Sequence, residues 1–212
     1  FTHVHLNNNF TQTYEIIATV IQKKADLWNQ FKENHQKEFT ELSKRYATHR
    51  IFADMQAEDI ERTVQACYPL HPVSTFVLPR LSERVAQNER TLFTFLSSNG
   101  PATLPSFLKQ YDDTSFEVVT PDQIYDYFEP LFKKEIANGT LHDIYFLTSV
   151  ILNQLDDGSL EEKIVKTLSL IYMLEQFEKL TPTKNELIGI YSIQYPVPEI
   201  ERALNNLIDD EY

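Results

Sequence analysis

Few residues in this 212-residue chain have both the type and the spacing to do chemistry. Cys67 is the single cysteine. It stands beside Tyr68 outside any nucleophile motif, so it reads as a small core residue, and alone it cannot form an internal disulfide. His3 and His5 would share one face of a short strand, a spacing that suits two metal ligands, but no third ligand follows at a zinc-site spacing. The acid pairs Asp112-Asp113, Asp156-Asp157 and Asp209-Asp210 fall at loops or helix ends, where carboxylates serve as solvated turn residues. Gly100, Gly139, Gly158 and Gly189 are too scattered to build a phosphate cradle. The patterns Gly-x-x-x-x-Gly-Lys-Ser/Thr, Gly-x-Ser-x-Gly and His-Glu-x-x-His are missing from the sequence. The chain is therefore expected to be non-catalytic, with no metal or cofactor of its own.

Charge and address narrow the classes further. A formal net charge of −12 opposes non-specific attraction to nucleic acid and to anionic lipid. The most basic stretch, around Arg80, Arg84 and Arg90, is interleaved with Glu83 and Glu89. No apolar run approaches the ~20 residues needed to cross a bilayer. With one cysteine, no starter Met and no basic-then-apolar leader, the sequence reads as a segment from the interior of a larger cytoplasmic protein.

The elements that position these residues are expected to be helices, since four glycines leave few hairpin turns for 212 residues. Residues 1–6 alternate as a short strand. Tyr14, Ile17, Ala18 and Ile21 mark one stripe of a helix over residues 11–24. Residues 25–52 suit one long amphipathic helix, or two broken near His35, that could project as an arm. Shorter helices are expected over 57–66, 72–85 with Pro79 inside, 88–97 and 104–111, followed by an irregular stretch to Val119. Thr120-Pro-Asp is a helix start, with Thr120 as N-cap and Pro121 at the first position. Ile124, Tyr127, Phe128 and Leu131 mark the stripe of that helix. Residues 141–155 are apolar nearly all round, which predicts a helix buried centrally between others. Beyond Asp156-Asp-Gly158, helices over 159–175, 183–192 and 196–209 are opened by capping-box spacings at Ser159/Glu162 and Thr183/Glu186. Ile200, Ala203, Leu204, Leu207 and Ile208 form the stripe of the last. The whole reads as all-α: a multi-helix bundle over 1–158, then a truncated winged helix-turn-helix-like segment of three helices over 159–212. That segment's last helix carries Glu199, Glu201, Asp209, Asp210 and Glu211 against Arg202 alone, which suits packing or a protein contact better than DNA.

The densest run is Cys67-Tyr-Pro-Leu-His-Pro-Val-Ser-Thr-Phe-Val-Leu-Pro-Arg-Leu-Ser-Glu-Arg-Val-Ala-Gln-Asn-Glu-Arg-Thr-Leu-Phe-Thr-Phe-Leu-Ser97. It resembles a signature of large prokaryotic P-loop ATPases of the AAA+/STAND type, including those of bacteriophage-exclusion and related defence systems. The likeness spans about thirty residues and is looser elsewhere, touching Thr120–Phe128 and Val165–Ile171. It implies a parent with its P-loop core ahead of Phe1, binding ATP and Mg, and makes this chain the helical lid and winged-helix region. Partners implied are that upstream core and a protein partner or a second copy, with nucleic acid reached only through the parent. The nucleotide-sensing candidates it implies are Tyr68, His71, Pro72, Arg80, Arg84, Gln87, Asn88 and Arg90; a guanidinium suits a transferring phosphate. The residues themselves also allow a plainer reading, in which Arg80 and Arg84 pair with nearby acids and Gln87 and Asn88 cap the next helix.

Overall fold

A computed structural model describes residues 10–86, 90–112, 114–134 and 139–209. Among these the chain is all-α, with twelve helices, one short 3-10 turn and no strand. The strand expected over residues 1–6, with His3 and His5, lies outside the described residues. None of the described helices is long and apolar enough to cross a membrane.

The first third is built on helix α4 (Ala57–Cys67), against which α1 (Phe10–Val20) and α3 (Gln36–Tyr46) both pack. Tyr14 and Ile17 of the predicted α1 stripe are buried, with Ile21 just beyond it. Helix α2 (Ala25–Asn34) is separated from α3 by a break at His35, whose N–H bonds Phe31 O at 3.0 Å and whose O accepts from Phe39 N at 3.1 Å. The arm expected over 25–52 is folded down rather than projecting. Helix α3 buries Phe39, Leu42 and Tyr46, and Trp28 and Phe31 of α2 join Phe39, Tyr68 and Phe116 in an aromatic cluster. Spacing along one charged helix does not reveal such a cluster, because its rings come from segments far apart in sequence.

Helix α5 (Pro72–Ala86) runs unbroken through Pro79, and every residue from Val73 to Ser82 is buried. It contacts α1, α4, α6 (Arg90–Ser97), α8 (Pro121–Phe132) and α10 (Leu160–Leu174). Helix α7 (Leu104–Gln110) leads into the irregular stretch before α8, which opens at the expected N-cap Thr120, with Pro121 first and, beyond that expectation, a capping box to Gln123.

Helix α9 (Thr140–Leu152) corrects an expectation. It lies on α10 and α8 along one side only, and Thr148, bonded to Ser169 Oγ at 2.9 Å, is its one buried residue. Phe146 and Leu147 are 63% and 61% exposed. An apolar helix supplies a burial tendency, but its partners decide how much of it is covered.

The last three helices are α10, α11 (Lys184–Tyr191) and α12 (Val197–Asp209). Gly158, with φ of 76°, turns the chain into α10, where Ser159 Oγ accepts from Glu162 N at 3.1 Å. Thr183 Oγ1 accepts from Glu186 N at 3.3 Å in the same way. The return half of each box is spent elsewhere: Glu162 takes Gly158 N and Lys166, and Glu186 takes His49 Nε2 at 2.8 Å. Gly189 lets α11 approach α3 closely, since a Cβ there would lie 3.3 Å from Arg45 Nη1. Ile200, Ala203, Leu204 and Leu207 are buried, whereas Ile208 is exposed. Buried side chains from Tyr14 to Leu207 form one continuous cluster that crosses the division expected at Gly158.

A buried polar hub ties α8 to α10 and α11. The Tyr191 hydroxyl lies 3.0 Å from Asp122 Oδ1, 2.8 Å from Lys163 O and 2.7 Å from Thr167 Oγ1. Burial pushes the Asp122 carboxyl above its usual range, against the lowering effect of bonds from Thr120 and Tyr191. Removing the hydroxyl leaves these groups short of a partner in a dry site. Tyr191→Phe is therefore expected to lower the unfolding free energy by about 1–3 kcal/mol, read by urea denaturation; no change would mean that the hub contributes nothing.

Candidate functional site

The turn 67–72 is held by backbone on one side and by a cap on the other. Leu70 N bonds Cys67 O at 2.9 Å, and the Tyr68–Pro69 bond is cis. Val119, just ahead of α8, runs parallel to Leu70: its N–H donates to Pro69 O at 2.8 Å and its O accepts from His71 N at 3.0 Å. Ser74 Oγ donates to the same Val119 carbonyl at 2.7 Å. His71 is the cap of α5, its Nδ1 accepting from Val73 N at 3.1 Å, while Pro72 fills the first helical position, where no N–H is missed. Cys67 is a core residue: its Sγ donates to Tyr14 O at 3.5 Å, and burial pushes its thiol up to about 12.

The five candidate residues whose side chains are described, Tyr68, His71, Pro72, Arg80 and Arg84, do not converge on one cavity. Tyr68 faces the α2 aromatic cluster and shares a short hydroxyl–hydroxyl bond with Tyr111. His71 is fully buried and meets the Tyr46 ring edge-on at 5.4 Å. Arg80, 6% exposed, is consumed internally: Nη1 donates to Tyr14 Oη at 3.0 Å and Phe76 O at 2.9 Å, and Nε to Gln176 Oε1 at 3.2 Å. Its guanidinium carbon lies 3.7 Å from the Phe76 ring centroid. Arg84 sits at the surface and grips the end of α10, through Leu174 O at 3.2 Å and the Glu175 carboxylate at 2.9 Å. Glu175 is a left-handed cap with φ of 54°, a place usually given to glycine, and a cation there also suits the helix dipole. Gln87 and Asn88 lie outside the described residues, as does the side chain of Arg90, the first residue of α6.

Tyr68, His71, Pro72 and Arg80 do not line one open site: all four are buried, Tyr68, Arg80 and His71 Nδ1 are bonded within the chain, and His71 Nε2 is buried without a partner among the described residues. Nor do His, Cys, Asp and Glu among the described residues form a group able to hold a metal ion.

A different cavity is open. Between α2, the link from α1, the Tyr68–Pro69 turn and α7 lies a groove of about 510 Å³. Trp28, Phe31, Tyr68, Tyr111, Lys23 and His35 are among its walls. Of the sequence candidates among the described residues, Tyr68 reaches it. The remaining walls carry no catalytic motif, and the aromatic residues at 28, 31, 68 and 111 stand too far apart in the sequence to signal the groove.

No known protein family, curated protein or solved structure matches this chain.

The role of His71 as a neutral cap has a pH consequence. Burial, reinforced by Arg45 and His49, holds its imidazole down to about 3, below the 6.5 of an unfolded chain. The unfolded state therefore takes up a proton first as pH falls, so stability is present above pH 6.5 and is lost below it. Asparagine keeps the acceptor for Val73 N without the titration. Between about pH 7 and pH 5.5 the chain should lose about 1 kcal/mol more stability than its His71→Asn variant; parallel urea midpoints would refute the assignment.

Proposed function

We propose that this chain is a non-catalytic regulatory and interaction segment of a multidomain, cytoplasmic ATP-binding protein, coupling nucleotide state to partner engagement. Two observations support the reading: the resemblance of residues 67–97 to AAA+/STAND ATPases, and the way that run is used here. Its helix α5 is bonded to α1 by Arg80, to the α8 entry by Ser74 and His71, and to the end of α10 by Arg84. A segment built so moves as one body. A displacement applied by an ATPase core at one end is then delivered at the other. On this reading α10 to α12 are the helical half of a winged helix, and Arg84 and Arg90 are the arginines left to meet a nucleotide held by the parent.

A second reading, a helical adaptor for protein partners, is favoured by the exposed Phe146, Leu147 and Val150 on α9. DNA binding by α12 is disfavoured, because its exposed face carries Glu199 and Asp209 against Arg202.

Titration calorimetry and an ADP-release assay on the chain test the proposal directly. The expected result is neither saturable ATP binding nor turnover, while the ATPase parent turns over and slows on Arg84→Ala or Arg90→Ala. Turnover by the chain alone, or an unaffected parent, would sink it.

A further inference from the structure

We propose that the groove between α2 and α7 is a binding site for a small molecule: a planar aromatic ring system carrying one anionic group. This rests on the groove itself and is independent of the nucleotide reading above. Its volume of about 510 Å³ falls in the range of small-molecule sites, and it is open to solvent along one side. Its walls offer ring faces: Trp28 and Phe31 are stacked with an interplanar angle of 16°, and Tyr68 lies 5.7 Å from Trp28. Leu27 and Leu108 line the same groove and stay 63% and 46% exposed, so apolar surface is left uncovered there.

The charge of the groove is the opposite of the molecule's. The chain carries 31 acidic against 19 basic residues, yet the walls hold Lys23, Lys24 and His35 and no Asp or Glu among the described residues. Lys23 Nζ lies 4.9 Å from the centroid of the Trp28 ring and donates to Ala66 O at 2.6 Å. Burial holds its ammonium down to about 8, so it is short of solvation and gains from an anion. Lys24 is exposed and makes no ion pair among the described residues. Two ammonium groups without a guanidinium fork match a single carboxylate or sulfonate better than a polyphosphate. The exposed face of α9 differs: it is apolar, with Asp143 exposed on the same helix, and offers no such pairing of ring and cation.

Trp28 is the sole tryptophan, so its emission reports on the groove without a label. The full chain is titrated at low salt with 8-anilinonaphthalene-1-sulfonate and, separately, with N-phenyl-1-naphthylamine, which has the same rings and no charge. The expected result is one anion bound per chain with quenching of Trp28, at least about fivefold tighter than the neutral dye, the size of one ion contact in water. Lys24→Gln should weaken the anion several-fold and leave the neutral dye unchanged, whereas Phe146→Ser should alter neither. Equal affinities for the two dyes, no effect of Lys24→Gln, or loss of binding in Phe146→Ser would overturn the proposal, the last by moving the site to α9.

Discussion

Helix α5 is buried along ten successive residues and still carries Ser74, Thr75, Arg80 and Ser82. A polar group taken out of water costs free energy unless the protein supplies its partner, and a buried cation costs most. Much of the fold answers that demand. Arg80 draws in the Tyr14 hydroxyl and Gln176, segments 66 and 96 residues distant. Ser74 and His71 fix Val119, which sets where α8 begins. Once α1, α8 and the end of α10 are committed to α5, the remaining helices have few places left to lie.

The same logic recurs in the first turn of α8, around Asp122 and Tyr191. There the buried group is the Asp122 carboxyl, which burial pushes above its usual range while the bonds it receives from Thr120 and Tyr191 work the other way. On the flank of this hub Lys166 bridges Asp126 and Glu162, both at 2.6 Å. Two buried polar centres, one on Arg80 and one on Asp122 and Tyr191, thus lock helices that hydrophobic packing alone would leave free to slide, because hydrogen-bond geometry is directional and apolar contact is not.

Local chemistry was legible in the sequence wherever a single turn decides the outcome. Thr120-Pro-Asp, Ser159, Gly158 and the break at His35 all act through bonds spanning a few residues, and the stripes at Tyr14–Ile21 and Ile200–Leu207 follow from helical period. Properties set by distant partners were not legible. Residues 141–155 have the composition of a core helix, yet nothing along them states that α8 and α10 would cover one side and leave Phe146 and Leu147 exposed. The charged run 25–52 gives no sign that Trp28 and Phe31 would meet Tyr68 and Phe116. Arg80 looked like a group in reserve because its partners lie so far along the chain. The groove is not legible for a related reason: a formal net charge of −12 hides a local patch of the other sign.

The run Cys67–Ser97 is therefore, in this chain, first a means of support: where its side chains are described, most of their polar groups are spent on the chain's own helices. That view is tested most directly by a double-mutant cycle on Arg80→Met and Tyr14→Phe, followed by urea denaturation. If Arg80 is a supporting group, the coupling between the two positions is about 1.5–3 kcal/mol, the worth of a buried hydrogen bond to a charge. Additive losses, with coupling near zero, would contradict it and return Arg80 to the set of groups held for a ligand.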